Sequence, residues 1–247
     1  MSYFLTGCPP DDSLQKLAET NQLSDAGVRR HQVDRLLGLV GTRERSHVGR
    51  DGLAKQFIKD FSSEWLDLDQ LDFTQPDRKL YPKYDPIVRM AMLDETHEFL
   101  VDMVLEDRPV KNLVAANYTY LNSRLCRYYK LGEDVGEGMQ KVDVSEVSHR
   151  GGLLTQGAIL KVTANGSTTS PVVRGAWVAE RILGMKIPPP PEGVPAIEPD
   201  IRGAVTIREK LAKHSNDESC ATCHRQMDPF GFALESFDPA GQWRSHY

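Results

Sequence analysis

The sequence lacks the features that mark several common protein classes. Its 247 residues contain no run of about 18 apolar residues, so no segment is predicted to cross a membrane. The formal net charge of -5 at pH 7 gives no basic surface of the kind that binds nucleic acid. The stretch from Met1 to Pro10 has neither a charged region nor a long apolar core, so it is not predicted to be a secretory signal peptide.

Cysteine is also scarce, with 4 in the chain, and two of them form its most informative stretch. Cys220, Cys223 and His224 make the Cys-x-x-Cys-His pattern by which c-type haem is attached. Thiols at this spacing reach the two vinyl groups on one edge of a porphyrin, and the next residue places an imidazole under the iron. The pattern predicts haem c, with Cys220 and Cys223 as thioether anchors and His224 as the proximal iron ligand.

Two other interpretations of the cysteine pair fit the surrounding sequence less well. A structural zinc site usually needs a second pair of Cys or His at short spacing, whereas Cys8 and Cys126 are single and distant. A thioredoxin-like redox pair follows a strand and opens a helix. The residues before Cys220 are instead predicted to form a helix and a polar loop.

The sequence leaves the second axial ligand of the iron open. A helix is predicted to begin near Thr206, and His214 shares its apolar face with Ile207 and Leu211. This spacing fits an iron ligand or a propionate partner as well as it fits a histidine bonded to a backbone carbonyl. Met227 is expected to lie on the same side of the haem as His224. Four further residues are candidates for the opposite side: Met139, His149, Met185 and His246.

Helical patterns dominate the first half of the chain. Leu53, Phe57, Phe61 and Trp65 recur at four-residue steps, which predicts one apolar face of a helix. Asp85-Pro86 predicts the start of another, with an N-cap followed by proline at the first helical position. Residues 113–131 are predicted to be helical, with four tyrosines in core-rim packing or lining a ligand cleft: Tyr118, Tyr120, Tyr128 and Tyr129.

The pattern changes after residue 131. Glycine-rich residues 132–148 are predicted to be a linker, and the apolar run from Leu153 to Thr163 with the Asn165-Gly166 turn predicts a small β element. Ser170-Pro171 predicts a further helix start. The expected fold is mainly α: a helical domain at 1–131, a small β element, and a cytochrome c-like haem-binding segment within 149–247.

Two parts of the sequence carry a family resemblance. The stretch from His149 to Gly157, the stretch from Thr169 to Gly175, the Cys-x-x-Cys-His motif and the stretch from Asp228 to Glu235 resemble a domain of unknown function. That domain occurs in large exported cytochrome-like proteins of planctomycetes and related bacteria. Residues 3–131 are similar to the domain that usually precedes it.

The resemblance implies a segment of a multidomain periplasmic or cell-envelope protein. Covalent haem attachment normally takes place outside the bacterial inner membrane, so a haem motif without an export signal favours the same interpretation. The expected function is single-electron transfer to a redox partner protein or to an adjacent domain of the full chain. Two alternatives stay open: a peroxidase-like haem enzyme with an open distal position, and a helical interaction module in which haem or metal is only structural.

Overall fold

The computed structural model describes residues 1–39, 52–132, 134–147, 149–188 and 218–245. These residues form a mainly helical protein with one small sheet. The helices are α1 (Ser2–Thr6), α2 (Asp12–Glu19), α3 (Ala26–Leu36), α4 (Leu53–Trp65), α5 (Pro86–Leu105), α6 (Ser123–Tyr129), α7 (Gly157–Val162), α8 (Pro171–Trp177) and α9 (Glu218–Ala233). The strands are β1 (Tyr118–Leu121) and β2 (Gln140–Asp143). Short 3-10 turns lie at Gln22–Ser24, Leu68–Asp72, Val110–Leu113 and Leu153–Thr155, and a π-helical segment follows α8 at Val178–Ile182.

Helix α5 lies at the centre of the molecule. Its start is the predicted one, because the Asp85 side chain accepts a hydrogen bond from the Val88 N–H and Pro86 occupies the first helical position. Helix α5 is buried along most of its length and contacts α4, α6, α7 and β1. Its buried residues include the polar Glu95, His97 and Asp102, while the apolar Ile87 and Met90 are exposed.

One hydrophobic core joins the two parts of the chain that were predicted as separate domains. It contains residues from α5 and β1 together with Leu153, Leu160 and Phe237. Two tryptophans, one in each part, each donate a hydrogen bond to a residue of the other part. Trp65 Nε1 donates to the Arg181 carbonyl at 2.7 Å, and Trp177 Nε1 donates to Asp67 at 3.1 Å. The residues on both sides of the 132–148 segment therefore pack as one body.

The small sheet lies at a different place from the predicted one. Strands β1 and β2 pair antiparallel, with Tyr118 opposite Asp143 and Leu121 opposite Gln140, so β2 falls inside the segment predicted as a linker. All four residues of β1 are buried, which removes the alternating pattern that identifies a strand. The predicted helix over 113–131 is therefore correct only for α6, which follows the strand.

The predicted β element at Leu153–Thr163 is wrong, because this stretch forms a 3-10 turn and then α7. Ile159 and Leu160 are buried, and a short apolar run fits a buried helix as well as it fits a buried strand. Helix α7 begins at Gly157, whose N–H donates to the Tyr129 hydroxyl at 2.9 Å. A Cβ at this position would overlap that hydroxyl and the Met92 side chain, so only glycine fits here.

Tyr129 belongs to a buried polar network in this core. Its hydroxyl donates to Glu95 at 2.7 Å, and Thr119 donates to the other carboxylate oxygen at 2.8 Å. Burial raises the pKa of Glu95, and the nearby Arg150 guanidinium opposes this shift. The Arg150 guanidinium lies 3.5 Å from the Tyr129 ring centre and donates to the Gly241 carbonyl at 2.6 Å. The four tyrosines of residues 113–131 are all core residues: Tyr118, Tyr120, Tyr128 and Tyr129.

The first three helices form a smaller cluster beside α4. Leu5, Leu14 and Leu36 are its buried members, and Phe57 packs against both this cluster and the main core. Asp11 caps α2 by accepting a hydrogen bond from the Leu14 N–H. Among the described helices, none is both long and apolar enough to cross a membrane.

His97 on α5 makes the stability of the fold sensitive to acid. Burial, reinforced by Lys59, lowers the pKa of His97 from 6.5 to about 4. Between these two values the unfolded chain binds a proton that the folded chain does not bind. The stability contributed by neutral His97 is therefore present above pH 6.5 and is lost as the pH falls toward 4, a loss of about 3 kcal/mol.

His97→Gln removes this contribution while leaving the other titrating groups in place. We expect wild type to lose more stability than the variant between pH 7 and pH 4.5, by about 2–3 kcal/mol. Urea unfolding of both proteins across this range measures the difference directly. A stability difference that is constant over the range contradicts the shifted pKa.

Candidate functional site

Helix α9 carries the Cys-x-x-Cys-His motif in its first half. Residues three, four, seven and eight positions apart lie on one face of an α-helix. The positions of Cys220, Cys223, His224, Met227 and Asp228 have this spacing. His224, Met227 and Asp228 are buried, and Cys223 is half-buried. His224, Met227 and Asp228 therefore lie on the face by which α9 packs on the rest of the protein.

The His224 imidazole is held by a carboxylate one helical turn further on. Its Nδ1 lies 3.0 Å from each carboxylate oxygen of Asp228. His224 is 9% exposed and Asp228 is 8% exposed, so little water competes for this contact. An ionised carboxylate only accepts hydrogen bonds, so Nδ1 is the donor in this contact. In a neutral imidazole with the proton on Nδ1, Nε2 carries the lone pair that binds a metal.

The described cysteines differ in their surroundings. Cys223 is a half-buried free thiol, Cys8 is exposed, and Cys126 is buried in the main core. The backbone position of Cys220 is one turn before Cys223 on α9. The spacing and shared face of Cys220 and Cys223 are those that covalent attachment of a porphyrin needs.

Helix α9 crosses α8 with the two backbones in close contact. A Cβ on Gly231 would overlap the Pro171 carbonyl oxygen, and a Cβ on Gly175 would overlap the Met227 carbonyl oxygen. Each helix thus supplies a glycine where the other helix comes nearest. This crossing lies one to two turns beyond His224, so it fixes the height and rotation of α9 relative to the core.

A fully buried arginine completes the attachment of α9. Arg174 on α8 donates to the carbonyl of Leu234, just past the end of α9, at 2.7 Å. It also donates to the Phe237 carbonyl at 3.2 Å and to the Leu160 carbonyl of α7 at 2.9 Å. The last carbonyls of a helix have no partner within the helix, and they carry its negative dipole end. One guanidinium therefore holds the C-terminal ends of two helices together.

His149, a candidate for the second axial ligand, lies against residues that follow α9. Its ring stacks on Trp243 with 4.4 Å between the ring centroids, and it also lies near Phe237.

The structure locates three of the other candidates for the second axial ligand. Met227 lies one turn from His224 on the same face, the arrangement that argues against it. Met185 follows the π-helical segment that packs on α9, and Met139 packs against the main core. His214, His246 and the helix predicted near Thr206 lie outside the described residues. The axial position opposite His224 therefore stays unassigned.

Sequence reasoning missed the supporting residues of this site. Asp228 follows His224 by four positions, and this spacing alone places the two side chains together once the motif is assigned to a helix. The roles of Arg174, Gly175 and Gly231 depend on the crossing of two helices that are more than 40 residues apart along the chain. Nothing in the local pattern indicates that contact.

The donor set fits a c-type haem. The Cys-x-x-Cys-His spacing lies on one continuous helix, the Cys223 thiol is free, and the His224 imidazole is oriented through its Nδ1 by Asp228. Among the residues described, no group of three or more His, Cys, Asp or Glu side chains is arranged around a metal ion. A haem iron takes four of its ligands from the porphyrin, so one oriented imidazole is what this helix has to supply.

Gly231→Ala tests the helix crossing. The added methyl group has to displace Pro171 on α8, and we expect a loss of about 3 kcal/mol in the free energy of unfolding. Gly138→Ala is the matched control, because its nearest atom lies at an ordinary contact distance of 3.8 Å. Chemical denaturation measures both variants. Equal stabilities for the two variants contradict the close approach of α8 and α9.

Two protein-family models match different parts of the chain, although one hydrophobic core spans both parts. Residues 1–131 match a family model described as PSD4, protein of unknown function (DUF1592). Residues 150–247 match a second one, described as PSCyt3, protein of unknown function (DUF1588). Neither the curated proteins nor the solved structures gave a match. Since the first model covers more than half of the 247 residues, the chain belongs to the PSD4 family of proteins of unknown function.

Proposed function

We propose that the chain binds one c-type haem on α9 and passes single electrons to a partner protein or to another domain. The observation that carries this proposal is the His224–Asp228 pair within a Cys-x-x-Cys-His motif. A haem attached there supplies a one-electron iron couple. The residues of this chain would hold it: Cys220 and Cys223 by thioether bonds, and His224 by Nε2.

The packing of α9 supports a redox role. Electron transfer works best when the cofactor's surroundings change little between the two oxidation states. Here the motif-bearing helix is tied to the core by the Gly175–Gly231 crossing and by Arg174, which is fully buried. The imidazole is fixed by two 3.0 Å contacts to a buried carboxylate. This site has little freedom to rearrange around its ligand.

Haem of this type is attached outside the cytoplasmic membrane in bacteria. The proposal therefore places the protein in the periplasm or cell envelope. The redox partner is a protein or an adjacent domain of a longer chain. Helices α4 and α5 share their core with the part that would carry the haem, so they serve as its scaffold.

The Asp228 contact also favours a second candidate, a haem enzyme that activates peroxide. A carboxylate-bound imidazole donates more electron density to iron, which suits O–O bond cleavage. The two candidates differ in the axial position opposite His224. A protein ligand there gives a six-coordinate low-spin haem and electron transfer, whereas an open position gives a high-spin haem that reacts with peroxide.

Absorption spectra of the exported protein test the proposal. The chain, fused to an export signal, is produced in a host with haem-attachment machinery and recorded oxidised and reduced. We expect c-type bands in wild type, half of the covalent linkage lost in Cys220→Ser, and an altered ligand field in His224→Ala. Rapid change on adding peroxide or carbon monoxide identifies the enzyme instead.

Cys8→Ser is the matched control, because Cys8 is exposed and lies outside the motif. It should keep the wild-type spectrum. If wild type shows no haem bands, or if Cys220→Ser and His224→Ala both keep the wild-type spectrum, the site assignment is wrong.

A further inference from the structure

We propose that Asp228 is a positioning residue that fixes the tautomer of His224 and lowers the reduction potential of the bound haem. This inference rests on the proposed function, since it concerns the iron ligand of that site. It adds a residue outside the Cys-x-x-Cys-His motif to the parts that determine the redox chemistry.

The geometry of the pair carries the inference. Both oxygens of Asp228 lie 3.0 Å from Nδ1, so the ring nitrogen faces the middle of the carboxylate. Both residues lie on α9, four positions apart, and both are buried. Their relative position is therefore fixed by the helix backbone, and the contact does not depend on a mobile loop. Water has little access to either group.

The chemical consequence follows from charge. A carboxylate that accepts the Nδ1–H draws the proton toward itself and increases the electron density on the ring. The proton stays on Nδ1, and no bond is made or broken. A more electron-rich imidazole stabilises ferric iron more than ferrous iron, because the ferric ion carries one more positive charge. The reduction potential is therefore lower than it is with a neutral acceptor.

Asp228→Asn isolates this effect. Asparagine has nearly the same shape and keeps one acceptor oxygen, so the ring keeps its orientation while the negative charge is removed. We expect the c-type haem to remain attached and its reduction potential to rise. Spectroelectrochemical titration at pH 8 measures the shift.

Asp238→Asn is the matched control for loss of a buried charge. Asp238 is 8% exposed, like Asp228, but its carboxylate accepts from the backbone N–H groups of Ala240 and Gln242 at 2.9 Å. It lies past the C-terminal end of α9, far from the motif. Because charge effects weaken with distance, we expect the Asp228→Asn shift to exceed the control shift by about threefold or more.

A second measurement tests the His224–Asp228 contact in the haem-free chain. Nitrogen-15 NMR of the haem-free chain, labelled at histidine, distinguishes the two imidazole tautomers. We expect His224 to be protonated at Nδ1 in wild type and in Asp228→Glu. In Asp228→Ala we expect a mixture with the Nε2–H form. A purely structural role for Asp228 would not change the tautomer in this way.

The outcomes separate this inference from the proposed function. A higher potential in Asp228→Asn, together with the Nδ1–H tautomer in wild type, supports it. Haem attached but with the potential unchanged, or shifted equally in the control, overturns the role of Asp228 and leaves the haem assignment standing. A chain that binds no haem overturns both. An Nε2–H tautomer in the haem-free wild type also overturns the inference.

Discussion

The close crossing of α8 and α9 is the constraint on which the rest of the site depends. Gly175 and Gly231 let the two backbones touch, and Arg174 binds the carbonyls at the C-terminal ends of α7 and α9. A charged side chain with no exposed surface is stable only when its donors are satisfied. The glycine crossing lies within two turns of His224 and the Arg174 contacts lie at the end of the same helix, so together they determine which face of α9 turns inward and hold the motif in place.

The two family segments meet in one core. Helix α5, from the first segment, packs against α7, from the second, and Glu95, Tyr129 and Gly157 form a hydrogen-bonded chain between them. Trp65 and Trp177 cross-link the same two segments. A substitution in the core of either segment is therefore expected to disturb the packing of the other. Helix α9 packs on α8 and on the π-helical segment, both from the second segment, and Trp177 and Val178 of these elements belong to the shared core.

Local signals in the sequence were enough to predict several helix starts. Asp85 and Ser170 both cap helices as their patterns indicate. The sheet was misplaced because β1 is buried along its whole length, while the apolar run at Leu153–Thr163 is a buried helix. Contacts between distant parts of the chain decide both cases, and a local window does not contain them. Arg174, Gly175 and Gly231 are not predictable from the sequence because their contacts also join distant parts of the chain. The four-residue spacing of His224 and Asp228 is local, so the sequence alone is enough to predict that contact.

The central claim is that Cys220 and Cys223 hold a haem covalently while His224, oriented by Asp228, binds its iron. The intact mass of the exported chain, measured after denaturation, tests this most directly, because only a covalent group survives unfolding. The account predicts that the wild-type chain carries the added mass of one haem and that a Cys220→Ser, Cys223→Ser double variant does not. A wild-type chain with the mass of the bare polypeptide would contradict it.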